Sequence, residues 1–165
     1  SIFKWKLTMH GKGKHFMTDS PKRKLSEHLR QRTKEWFRKA DHELAYLELS
    51  PFDAEDPPTD TAGKMSHMVA EYSLKAYLML NKKPIEKSHD LIELLDDCLA
   101  IHNDNKFDEL RSDCQLLTQY RLDLVYPTST SETITVEEAK AAIEKARRIR
   151  DFVMAKAEEL GYSHD

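Results

Sequence analysis

From about Ser26 to Leu160 the apolar residues return every three or four positions, block after block, which is the signature of amphipathic helices. In the first block Trp36, Phe37, Ala40, Leu44 and Leu47 share one face of a helix that ends near Ser50-Pro51, where proline stops it. Residues 51–63 are dense in Pro and Asp and form a loop. A second helix begins near Asp60 or Thr61 with the stripe Met65, Met68, Val69, Tyr72, Ala76 and Met79. Its C-terminal part, Ala76 to Leu80, is apolar nearly all round, so it is predicted to be the central helix.

Asn81-Lys82-Lys83-Pro84 breaks that helix, and Ser88 is placed to cap the third, which carries Leu91, Ile92, Leu94, Leu95, Cys98 and Leu99. His89 then falls in its first turn, with Asp90 against the positive end of the helix dipole. A fourth helix follows His102-Asn103-Asp104, presents Phe107, Leu110, Cys114, Leu117, Tyr120 and Leu124, and stops at Tyr126-Pro127. After a polar link, Thr135 with Glu138 three residues on makes a capping box for the last helix. Val136, Ala139, Ile143, Ala146, Ile149, Val153 and Leu160 form its buried face. The expectation is an all-α, up-and-down bundle of four to five helices.

With 165 residues, 39% of them hydrophobic, the chain has material for one core and too little for two. Only four glycines and six prolines are present, which disfavours an all-β fold built on tight turns. The formal net charge of −3 argues against a blanket electrostatic grip on nucleic acid, so an anion site must be local. Cys98 and Cys114 have no metal-ligand spacing and read as reduced structural thiols, consistent with a cytoplasmic location. The apolar run around Leu78-Met79-Leu80 is far short of the ~20 residues that cross a bilayer, so no membrane association is expected. Residues 1–16 read as a tag or flexible arm ahead of a single domain over 17–165. Gly11 to Lys14 lack the spacing of a phosphate loop.

The segment Ala70-Glu71-Tyr72-Ser73-Leu74-Lys75-Ala76-Tyr77-Leu78, followed by His89-Asp90-Leu91 and Leu94-Leu95, resembles the "AExxLKAxL … HxLxxL" hallmark of HEPN domains. Trp36 and Ala40 in the first helix, Arg121 to Pro127 closing the fourth, and an alanine-rich last helix are similar in order to that family. The resemblance implies a helical bundle, frequent homodimerisation, and roles tied to nucleotides, RNA or a partner nucleotidyltransferase. Many relatives of this kind are metal-independent ribonucleases with Arg-x(4–6)-His, in which Arg stabilises phosphate charge and His moves the proton of a 2′-hydroxyl. Here Arg121 matches the arginine, but Leu122 follows it and the histidine window holds Tyr126, Pro127 and Thr128. A phenol of pKa about 10 is a poor proton shuttle at neutral pH. The reading is therefore a binding module, with a ribonuclease toxin or a purely structural dimerisation domain as alternatives.

The ligand-binding candidates are Arg121, Tyr126, Lys75, His89 and Asp90, with no metal and no cofactor expected. Each has a plainer explanation. Arg121 borders the apolar stripe, where arginines snorkel or form ion pairs. Glu71 and Lys75, four apart with the acid first, suit a helical salt bridge. His89 and Asp90 suit helix initiation, and Tyr72 and Tyr77 suit a core. His67 and Glu71 lack the third ligand a zinc site needs. Basic residues of the first helix, with Arg147, Arg148 and Arg150 of the last, read as a solvated face balanced by Glu27, Glu35, Asp41 and Glu43.

Overall fold

The computed structural model describes residues 25–125 and 133–165. The predicted arm over 1–16, the Gly11–Lys14 run, Tyr126-Pro127 and most of the polar link after it lie outside the described residues. Among the described residues five α-helices carry the fold: α1 (Glu27–Glu48), α2 (Thr59–Leu80), α3 (Leu91–His102), α4 (Arg111–Val125) and α5 (Val136–Glu159). A 3-10 segment, Asn105–Leu110, leads into α4, and there is no strand among the described residues. The helical bundle expected from the sequence is the fold observed.

The helix ends follow local chemistry. Ser26 caps α1 by accepting the Leu29 amide at 3.2 Å. At α5 the expected capping box is complete: Thr135 Oγ1 accepts the Glu138 amide at 3.1 Å, and Glu138 Oε2 accepts the Thr135 amide at 2.7 Å. The α3 cap differs from expectation. Asp90, not Ser88, accepts the Ile92 amide at 2.9 Å, while Ser88 donates to Glu93 and accepts the Asp90 amide. His89 therefore lies just ahead of the helix instead of in its first turn, and Asp90 is its cap. An aspartate side chain is already an ionised acceptor at the helix's positive end, so it displaces the serine.

The helix α2 starts at Thr59, directly after Pro57-Pro58. It ends in a Schellman turn: Lys82 N–H donates to Met79 O and Lys83 N–H to Leu78 O, with Lys82 left-handed at φ 57°. Glycine usually holds that position, and a side chain there costs about 1–2 kcal/mol. The turn directs the chain through Lys82, Lys83 and Pro84 across the end of the bundle.

As expected, α2 is central, packing against α1, α3, α4 and α5. The sequence stripe marked its deepest face only in part, at Val69 and Ala76. Met65, Met68, Tyr72 and Met79 are half-buried, whereas Ala62, Ser66, Val69, Ala70, Ser73, Leu74 and Tyr77 are buried. Ser66 and Ser73 escape an apolar pattern because they are polar. Their hydroxyls donate back to Ala62 O and Val69 O, each at 2.8 Å, and their small volume lets neighbours close in. Gly63 serves the same end, since a Cβ there would lie 2.8 Å from Leu124 Cδ1 of α4.

An aromatic chain joins the layers: Tyr77 to Phe107 at 5.0 Å between centroids and Phe107 to Phe152 at 5.2 Å. Phe107 is fully buried, and burying such a side chain contributes about 1.5–3 kcal/mol. Beyond α5, Tyr162 folds back onto Phe37 of α1 at 5.3 Å. Arg150 grips Asp41 with two hydrogen bonds, Arg148 meets Asp113, and Arg147 meets Glu48 and Glu144. The arginines of the last helix are thus paired with carboxylates, but of the four acids the sequence offered as balance only Asp41 is among their partners.

Candidate functional site

Glu71 is the centre of a polar network on α2, and it is only 6% exposed. Its Oε1 accepts a hydrogen bond from His89 Nδ1 at 2.7 Å, and its Oε2 faces Lys75 Nζ at 3.3 Å. Helical periodicity supplies the second contact, since positions four apart stack on one face. The first depends on the Schellman turn and the loop that follows, which bring His89 back alongside α2. Both carboxylate oxygens are thereby occupied by donors, which is what an ionised group needs when it leaves water. Lys75 Nζ also lies 5.8 Å from the centre of the Trp36 ring, within cation–π range. Trp36 in turn rests on Tyr72 at 5.9 Å.

One turn earlier, His67 is 1% exposed and its Nε2 lies 2.9 Å from the His89 carbonyl. A carbonyl only accepts, so His67 Nε2 carries a proton and donates it. Burial pushes the His67 pKa down to about 4, against the upward pull of Glu71 and of the His89 carbonyl, and Arg121 adds a further push downward. His67 is therefore neutral at pH 7. It anchors the backbone of the residue whose side chain Glu71 holds.

Lys75 and His89 open onto a groove of about 950 Å³ between α1 and the loop joining α2 to α3. Leu29, Trp36, Met79, Pro84 and Ile85 give it an apolar wall. Arg32, Lys75, Lys82, Lys83 and Lys87 surround it, against Glu86 as the one carboxylate among the described lining residues. The formal excess of positive charge contrasts with the −3 of the whole chain. Lys75 is already neutralised by Glu71, so the uncompensated charge sits on the rim.

Of the residues singled out from the sequence, Lys75 and His89 meet here, joined through Glu71. Asp90 is occupied as a helix cap. Arg121, half-buried on α4, is near enough to His67 to influence its titration but does not line this groove. One turn before Arg121, Thr118 Oγ1 is buried with no hydrogen-bond partner among the described residues. Tyr126 lies outside the described residues. Sequence reasoning passed over Glu71 as the hub, Trp36 as wall and the Lys82, Lys83 and Lys87 rim. The density of lysine in residues 82–87 was the available signal for the rim. Among the described residues no cluster of His, Cys, Asp or Glu could hold a metal ion.

The architecture defines an all-α bundle whose central helix carries a buried Glu71–Lys75 pair, joined by His89 of the following loop, beside a basic groove. The family model described as HEPN domain matches residues 33–159. The chain belongs to the HEPN domain family. No curated protein and no solved structure matches it. No helix of the described residues is long and apolar enough to cross a membrane.

Proposed function

We propose that this domain is a binding module for phosphate esters of the nucleotide and RNA class, and that its ligand enters the groove between α1 and the α2–α3 loop. The observation that carries the reading is the convergence of Arg32, Lys75, Lys82, Lys83 and Lys87 on a cavity with an indole in its wall. Clustered donors attract anionic oxygens, and an apolar wall beside them suits the less polar part of a nucleotide. Family membership supports the same class of ligand. Association as a homodimer or with a nucleotidyltransferase partner belongs to this proposal too. Among the described residues Tyr46 and Leu49 at the end of α1 and Leu122 on α4, 68%, 81% and 63% exposed, are the large apolar side chains available for such contacts.

Titration with ATP and with a short single-stranded RNA, followed calorimetrically at several salt concentrations, tests the proposal. K82E/K83E is expected to abolish binding, and Arg121→Ala to leave it unchanged. Loss of binding in Arg121→Ala with none in K82E/K83E would move the ligand to α4 and refute the groove. RNA cleavage that disappears in Arg121→Ala would restore the ribonuclease reading instead.

A further inference from the structure

We infer that residues 161–165, the segment following α5, form a clasp that sets the position of the groove-lining half of α1, so that ligand affinity depends on contacts made on the far flank of that helix. The inference concerns the regulation of the groove and rests on its being the ligand site proposed above.

The two walls of the groove are held differently. The core fixes α2 from several sides, whereas α1 is an outer helix that packs on α2 and, more lightly, on α5. Along its 22 residues α1 buries Thr33, Phe37, Ala40 and Leu47. Thr33 and Ala40 are small and Leu47 lies at the far end. Phe37 is therefore the large buried anchor of the half that carries Leu29, Arg32 and Trp36 to the groove. Tyr162, itself 2% exposed, rests on that anchor at 5.3 Å.

A fixed turn delivers Tyr162 to this place. Gly161 N–H donates to Glu158 O at 2.9 Å and Tyr162 N–H to Ala157 O at 3.1 Å, a Schellman turn with Gly161 left-handed at φ 94°. His164 packs its ring edge-on against Phe37 and Tyr162, at 6.1 and 5.6 Å, and brings Nε2 to 3.8 Å from Asp41 Oδ2. Arg30 Nη1 donates to the Asp165 carbonyl at 3.0 Å.

Helical spacing sets these contacts apart from the groove. Leu29, Arg32 and Trp36 form one stripe of α1, and Arg30, Phe37 and Asp41 form another, about a third of a turn away. The buried line of Thr33 and Ala40 runs between them. The helix thus lies with the ligand on one flank and the clasp on the other. Without the clasp it can roll about its small buried residues, which would carry Arg32 and Trp36 away from Lys75 and the 82–87 rim.

Native-state amide exchange and ATP titration of the full chain test this in the wild type, in Tyr162→Ala, in the milder His164→Ala, and in a control, Leu95→Ala, which opens a cavity beneath α3. In Tyr162→Ala the amides of residues 30–37 are expected to exchange about tenfold faster relative to those of α3 and α4, and ATP to bind about five- to tenfold more weakly, as coupled sites do. Leu95→Ala should speed exchange without singling out residues 30–37 and leave ATP affinity unaltered. Should Tyr162→Ala speed exchange evenly across the helices, or bind ATP as tightly as the wild type, the segment is an ordinary piece of core and the inference is overturned while the groove stands. If Tyr162→Ala does not fold, His164→Ala decides by the same two readouts, with smaller effects in the same direction. A wild type that binds no ATP overturns the proposed function and the inference together.

Discussion

Removing Glu71 without removing Lys75 should be among the most damaging single changes available to this protein. The two side chains, 7% and 6% exposed, face each other at 3.3 Å, and among the described residues only the indole of Trp36 offers Lys75 further compensation. Deleting one partner of a buried pair strands the other charge in a medium that solvates it poorly, at about 3–5 kcal/mol. Domains of this size have about 5–15 kcal/mol in total, so Glu71→Leu should consume a large part of it. With a urea slope of about 2 kcal/mol per M, the unfolding midpoint falls by about 2 M. The double variant E71L/K75M replaces both charges with apolar groups of similar length and should recover most of that loss. Urea unfolding of wild type, both single variants and the double variant, followed by far-ultraviolet circular dichroism, gives the coupling between the positions. If Glu71→Leu lies within 1 kcal/mol of wild type, or if the double variant loses the sum of the singles, the buried-pair reasoning is wrong.

Three further outcomes follow from the same structure. His67 has a folded-state pKa near 4 against an ordinary 6.5, so the unfolded chain binds the proton more readily. Its contribution is intact above about pH 6.5 and is lost progressively as pH falls toward 4, amounting to about 3 kcal/mol, and His67→Gln should flatten that part of the stability profile. Lys82→Gly relieves a left-handed lysine and should raise stability by about 1 kcal/mol in thermal unfolding while weakening ATP binding; a destabilised variant would contradict the Schellman assignment. Burial raises the Cys114 thiol to about 12 and Cys98 well above its usual range, so both should resist a thiol reagent in the native protein at pH 8 and react once urea unfolds it.

The elements were readable because their signals are local. Pro51, the Pro57-Pro58 pair and the Thr135–Glu138 box each act within one turn, and the spacing of Phe37, Ala40 and Leu47 is a property of one helix. The Ser88 cap went astray because two competent capping residues stand two positions apart, and only their geometry decides between them. The half-buried methionines of α2 drew attention away from Ser66 and Ser73, which a hydropathy pattern counts as surface. For the site, Glu71 with Lys75 was visible at its four-residue spacing, but His89 joins them from eighteen residues away, across a loop whose course no periodicity encodes. The groove joins Arg32 to Lys82, Lys83 and Lys87 from separate parts of the chain, so its charge is a property of tertiary structure.

The binding groups and the core share one helix, since Lys75 is next in sequence to Leu74 and two residues from Tyr77, both among the most deeply buried side chains. Opening the Glu71–Lys75 pair would mean breaking the central rod of the bundle. Amide hydrogens through this stretch of α2 should therefore exchange only by global unfolding, and ligand should alter their rates no more than it alters overall stability. The groove's adaptability is left to the side chains of α1 and to residues 81–90, which a ligand can order while the opposite wall is already set.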